Sequence, residues 1–395
     1  MTTLSGFAFP FMDIFCQAQF ASIDALRRSQ GEALGLLGFG PNECDYHVIL
    51  SGPHWRLRKY ACDDAQSSLL IVPAPIKRPY IWDLAPSVSA VRYCLGHRLR
   101  VYLLEWMPPP GTGQQAGLED YADHAISECV AKISNEAQET RPFLVGHSLG
   151  GTLAAIFCAL EQKSVRGLVL LGAPLCFAPG SSQFRDALVS LVPQTLTEVE
   201  IVPGSLLSQM SALASPDAFV WARLRDALHS IGDPTAMDVH VRVERWALDE
   251  VPLPGLLVSE IVQLLYRENR FCRGTLTMRD RCLGPSHVRV PILAIVNIAD
   301  EIAPLDSVKH FLDEMPAKEM RIIEYPGEAG IGLQHLALLA ARYCVPGQTE
   351  LLGPWRRRSQ ALLFRSLMRA GCRAWPFPFP ALDLPRVFLS RALSP

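Results

Sequence analysis

The sequence predicts an α/β protein with a mostly parallel central sheet, helices on both faces and an inserted helical cap. Three observations carry this. Short bulky runs such as Ser68–Val72, Val101–Glu105 and Val165–Leu171 read as strands buried on both sides. Helical patterns alternate with them. The interval 175–285 then breaks the rhythm, with helical stretches Gln183–Leu191 and Leu256–Tyr266 and no convincing sheet strand.

Residues 1–45 are poor in periodic signal and form an N-terminal extension, with a short helix at Ala18–Arg27. Tyr46–Leu50 and Trp55–Tyr60 are strand-like. Ser68–Val72 stops at Pro73, and Val101–Glu105 stops at Pro108-Pro109-Pro110. Pro86–Gly96 can hold the crossover between them. Leu118–Ile133 has apolar residues at three- and four-residue spacing, which suits a helix. Phe143–Val145, Val290–Val296 and Arg321–Tyr325 are further strands. The domain reading is therefore a core of 46–174 and 286–345, a cap of 175–285 and a tail of 346–395.

Hydrophobic residues make up 49% of the 395 and charged residues 19%, which suits a greasy pocket or membrane contact. A net charge of −2 argues against a bulk nucleic-acid partner. The 11 cysteines are odd in number and have no C-x-x-C pair. That reads as free thiols in a reducing cytoplasm rather than a disulfide framework or zinc site. No basic secretory start and no apolar run of about 18 residues is seen, so neither a signal nor a spanning helix is expected. The tail sets eight arginines from Arg356 to Arg391 against Glu350 and Asp383, beside Trp375-Pro-Phe-Pro-Phe-Pro380. Two readings stand: contact with an anionic membrane or partner surface, or a segment packed through its aromatics with its arginines in water.

The chemistry centres on Gly146-His147-Ser148-Leu149-Gly150, between an apolar strand and a small-residue helix. That context makes Ser148 the expected nucleophile, on the elbow of an α/β-hydrolase fold. A serine needs a base, and the base needs a group that fixes its tautomer. The order nucleophile, acid, histidine is met by Asp300, after the strand ending at Val296, and by His335. Glu301 competes with Asp300, and His287 with His335. His147 is expected to shape the elbow. The oxyanion needs amide donors, and Leu149 supplies one. The second is expected from Pro73–Pro79, where the prolines lack an N–H; Ile76 is the choice and Lys77 the fallback. Lys77 and Arg78 either meet an anionic substrate group or face water. No cofactor or metal site stands out.

The chain resembles the polyhydroxyalkanoate synthase branch of the α/β-hydrolase superfamily over about residues 60–345. The resemblance rests on Ile71–Tyr80 with Asp83-Leu84, on Val101-Tyr-Leu-Leu-Glu-Trp106 and on Leu118-Glu-Asp-Tyr121. It continues through Trp246, Asp249, Pro252, Pro254-Gly255, Leu265–Asn269 and Arg273-Gly274 to Asp300-Glu-Ile-Ala-Pro304. It implies Ser148 as nucleophile, Asp300 as acid and His335 as base. The synthases carry cysteine at the nucleophile position, where this chain has serine. Their histidine follows a glycine pair, where this chain has Gln334.

The expectation is a hydrolase acting through a Ser148 acyl-enzyme on an acyl ester or acyl thioester. CoA and carrier-protein thioesters both fit. The cap and composition suit a medium or long chain, and the resemblance adds 3-hydroxyacyl groups and a homodimer. The main alternative is an acyltransferase or cyclising enzyme that uses an acceptor other than water. A non-enzymatic scaffold on the same fold is the lesser one.

Overall fold

The computed structural model describes residues 9–62, 67–109, 115–137, 141–192, 200–316, 319–325 and 334–340. The expected tail at 346–395 lies outside them, as do Cys344 and Cys372.

Eight strands form one sheet: β1 (Tyr46–Ser51), β2 (Trp55–Tyr60), β3 (Ser67–Val72), β4 (Leu99–Trp106), β5 (Phe143–His147), β6 (Gly167–Leu171), β7 (Ile292–Asn297) and β8 (Met320–Tyr325). Their order across the sheet is β1-β2-β4-β3-β5-β6-β7-β8. Only β2 runs against its neighbours; from β4 to β8 every pairing is parallel. The sequence explains this. Strands β3, β5, β6 and β7 are buried at every position, as a parallel sheet covered on both faces requires.

The period of two divides each strand between two cores. Leu70, Tyr102, Leu104, Leu144, Leu168 and Ile292 face one side. There they meet Ile126 and Ile133 of α3 (Ala125–Ala137) and Leu153 and Phe157 of α4 (Leu149–Leu160), given α1 (Phe9–Leu34) and α2 (Ala90–Gly96) earlier in the chain. Leu69, Ile71, Val101, Leu103, Val145 and Leu293 face the other side, with Val91 and Cys94 of α2. The crossover expected at Pro86–Gly96 is α2, capped by the Ser89 hydroxyl, which accepts from Arg92 N.

Between β6 and β7 lie α5 (Gln183–Leu191), α6 (Gly204–Ala214), α7 (Ala222–Ser230), α8 (Pro234–Ala247) and α9 (Gly255–Glu260). The chain ends its described part with α10 (Asp306–Asp313) and α11 (Ala337–Ala340). None of the insertion joins the main sheet, but it holds two short ladders, Ile201–Val202 with Leu253–Pro254 and Leu276–Met278 with Arg281–Leu283.

The first helix corrects the sequence reading. Instead of a short segment at Ala18–Arg27, α1 runs from Phe9 to Leu34. Tertiary contacts hold it. Asp24 Oδ1 accepts from Ser205 N at 2.9 Å, capping α6 from another element. Arg27 reaches the carboxylate of Glu250. Among the described residues no helix is long and apolar enough to cross a membrane.

Candidate active site

Strand β5 turns into α4 through Ser148, whose φ of 53° and ψ of −135° are rare for a residue with a side chain. The turn is held by Ser148 N donating to Leu171 O at 3.1 Å and by Gly151 N donating to Ser148 O at 2.9 Å. Close backbone approach makes the flanking glycines obligatory. A Cβ on Gly146 would stand 2.4 Å from Gly151 Cα, and one on Gly150 would stand 2.2 Å from Val72 O. The motif thus packs the helix directly on β3 and β5. This leaves the half-buried Ser148 raised at the strand end, beside the first amides of α4, which have no acceptor within the helix.

Strand β7 ends at the buried Asn297, and Asp300 follows in a tight turn whose N–H donates to Asn297 O at 3.1 Å. Asp300 is 3% exposed. Its Oδ1 accepts from Ile302 N at 2.9 Å and Ala303 N at 3.2 Å. Its Oδ2 accepts from His335 Nδ1 at 2.7 Å. Burial alone would raise the carboxyl; the neighbouring His335 and these hydrogen bonds outweigh it and hold the pKa below the ordinary value. A proton on Nδ1 leaves Nε2 as the imidazole's free acceptor.

The two competitors stand elsewhere. Glu301 is exposed and its Oε2 accepts from Ser215 Oγ at 3.0 Å. His287 sits in the turn Pro285–His287, beside Ser286, and does not line the cavity over Ser148. His147 is buried, and its Nε2–H donates to the backbone carbonyl of His335 at 2.8 Å. Burial pushes its pKa down to about 3, so it is neutral at ordinary pH. It braces the residue that carries the imidazole.

Gly172 was not singled out from sequence. It has φ +50°, and a Cβ there would come within 3.3 Å of Asp300 Oδ2 and 3.6 Å of His335 Nδ1. Its N–H donates to Ile295 O at 2.9 Å. The Gly172-Ala173-Pro174 stop after a strand was the available signal; contact with a pair over a hundred residues later was not.

The loop after β3 lies across the elbow. Pro73 O accepts from Trp106 Nε1 at 2.8 Å, which fixes the backbone that touches Gly150. Ala74 and Ile76 both line the cavity. The carbonyl of Ile76 accepts from Val251 N at 3.0 Å, and Arg78 O accepts from Trp246 Nε1 at 2.7 Å. Lys77 does not simply face water. Its ammonium is 3.0 Å from Glu250 Oε1 and 3.2 Å from Ser208 Oγ, so an internal carboxylate already holds it. Burial lowers its pKa to about 8. Arg78 is partly buried, 3.8 Å from Glu105.

Above Ser148 and His335 is a cavity of about 880 Å³. Leu188, Leu206, Leu207, Phe219 and Val262 give it apolar walls, while Arg27, Lys77 and Arg223 lie at a polar part. This volume is in the range of small-molecule sites. The site therefore offers a hydroxyl at a strained turn, a buried carboxylate–imidazole pair and an apolar enclosure.

A family model described as the alpha/beta hydrolase fold matches residues 83–321. The chain is similar to a poly(3-hydroxyalkanoate) polymerase subunit of Haloferax mediterranei, 28% identical over 65% of this chain and 53% of the relative. It is likewise similar to the corresponding subunit of Thiocystis violacea, 23% identical over 73% of this chain and 80% of the relative. The chain thus spans about half the length of the haloarchaeal relatives it matches. Among solved structures it is similar to a membrane phospholipase A, at 13% identity and a TM-score of 0.46, over 91% of this chain and 96% of that one. The model match covers well over half of the sequence, and this chain belongs to the alpha/beta hydrolase fold family, in the branch that resembles polyhydroxyalkanoate synthases.

Proposed function

We propose that the protein is a serine-dependent acyl hydrolase that works through an ester on Ser148. The observation that carries this is the 2.7 Å Asp300–His335 pair opening onto the same cavity as the strained Ser148. His335 Nε2 takes the Ser148 proton as Oγ attacks the acyl carbonyl. The Leu149 amide stabilises the oxyanion, with a second donor from the β3 loop. Ile76 is the proposed donor, with Lys77 the fallback, and Ala74 is a rival because it directly follows Pro73 beside Gly150. The imidazolium returns its proton to the leaving alcohol or thiol, and water then releases the acid. Asp300 steadies the imidazolium without taking its proton. The apolar walls suit a medium or long acyl chain. The names of the polymerase relatives favour 3-hydroxyacyl groups; a CoA or carrier-protein thioester is the carrier in this proposal.

A second reading has specific support. The matched relatives are named as polymerases, so an alcohol such as the hydroxyl of another hydroxyacyl unit would replace water as acceptor. The test is turnover of 3-hydroxyacyl-CoA and matched hydroxyacyl esters, with and without added hydroxyacyl acceptors. Free acid as the main product supports hydrolysis, and ester-linked or cyclic products support transfer. Unchanged turnover by Ser148→Ala contradicts both.

A further inference from the structure

We propose that Cys176, Cys272 and His310 form a binding site for zinc. The site lies apart from the serine chemistry, and nothing in the resemblance assigns it. The three residues come from three places in the fold: the loop after β6, the chain beyond the helical segment Ile261–Arg267, and α10. Their ligand atoms all lie within 4.8 Å of one another. Two sulfurs on tetrahedral zinc stand about 3.8 Å apart, so small side-chain movements close the set. Cys176 and Cys272 are 2% and 3% exposed, whereas His310 is exposed and leaves a route for the ion.

The surroundings fix this geometry. Asn269, buried and at φ 51°, accepts from Phe177 N at 2.7 Å through Oδ1. Its Nδ2 donates to Cys176 Sγ at 3.5 Å. Leu175 N and Cys176 N both donate to Ser307 O, at 2.9 and 2.8 Å. That ties the first sulfur to the helix that carries the imidazole. Glu314 Oε1 lies 3.5 Å from His310 Nε2, one turn along. A carboxylate behind a ligating imidazole is a common support. Binding zinc would release the thiol protons of both cysteines. The bound ion would join the insertion, the loop beyond Gly172 and the helix that follows the Asp300 turn.

The test uses the full chain, reduced and stripped with a chelator, then titrated with Co²⁺ as a zinc surrogate. One equivalent should give thiolate-to-cobalt charge-transfer absorption that Zn²⁺ abolishes, and Zn²⁺ should raise the Tm. His310→Ala alters an exposed position and should fold normally. It should weaken Zn²⁺ binding by at least about 100-fold, because it removes a ligand and loss of a mere supporting partner already costs up to that much. Cys272→Ser should lose the charge-transfer band, and Cys282→Ser, at an exposed cysteine, should keep it. Absence of the band in the wild type overturns the proposal. So does a band unaffected by both His310→Ala and Cys272→Ser, or recovery of Cys176 and Cys272 as a disulfide from freshly isolated protein.

Discussion

The two sides of the cavity are built differently. On the sheet side, Ser148, Asp300 and His335 stand at or beyond strand ends, and short backbone hydrogen bonds fix the turns that carry the first two. On the insertion side, the wall is made of short helices fastened to the rest at a few polar joints. One is Glu250, whose side chain is 4% exposed and which takes Arg27, Lys77 and Ser208 together. Another is Arg279, which clamps the fully buried Asp123 and reaches Glu161. The difference teaches where each property resides. On the proposed reading, the sheet side sets the chemistry and the insertion sets the shape of what is acted on. Mutations on the two sides should therefore fail in different ways.

The largest effect is expected at the elbow. Ser148→Ala should lower kcat by about 10⁴- to 10⁶-fold with the unfolding transition unchanged, measured by steady-state kinetics and thermal denaturation. Asp300→Asn should follow with a loss of about 10⁴-fold, since the wrong tautomer of His335 is then favoured. If its loss appears in KM rather than kcat, the sheet side does not set the chemistry alone.

At the joint, Glu250→Gln leaves Lys77 and Arg27 without their carboxylate and should cost about 3 kcal/mol of stability in urea unfolding. Activity of the folded fraction should persist. Within the insertion wall, Leu207→Trp should fill part of the cavity and move the preference toward shorter acyl chains, by about tenfold in kcat/KM for the longest substrates. An equal loss for all chain lengths would remove Leu207 from the shape-setting wall.

The effect that is smallest near neutral pH is a pH slope. His147 has a folded pKa near 3 against an ordinary value of 6.5. Between these values the unfolded chain binds the extra proton. Stability is therefore present above pH 6.5 and falls as pH drops, by up to about 1.4 kcal/mol per pH unit. His147→Gln should flatten that part of the stability profile.

Much of this contrast was readable from sequence on the sheet side. Strands such as Ser67–Val72 and Phe143–His147 announce themselves because burial on both faces demands continuous apolar runs. Asp300 stands out because it follows such a strand, whereas His335 follows the last strand, which is only partly buried, and was singled out by the order nucleophile, acid, histidine. The insertion was harder. The hairpin at Leu276–Leu283 turns through Arg279 and Asp280, both at positive φ, without the Asn-Gly or Asp-Gly signal such turns usually carry. Arg279 is committed instead to Asp123, and that long-range pairing has no local signature. The same holds for Glu250 with Lys77, for Gly172 against the carboxylate–imidazole pair, and for Cys176 with Cys272. In each case the partner lies far along the chain, and spacing reports only neighbours.

The central claim is that the acyl group passes through the Ser148 oxygen. Rapid quench of the enzyme with a slowly released acyl thioester, followed by peptide mass spectrometry, tests it most directly. The account expects one acyl adduct, on the peptide containing Gly146–Gly150, absent in Ser148→Ala and longer-lived in His335→Ala if it forms there at all. Sustained turnover with the adduct on another residue, or undiminished adduct formation in Ser148→Ala, would contradict it.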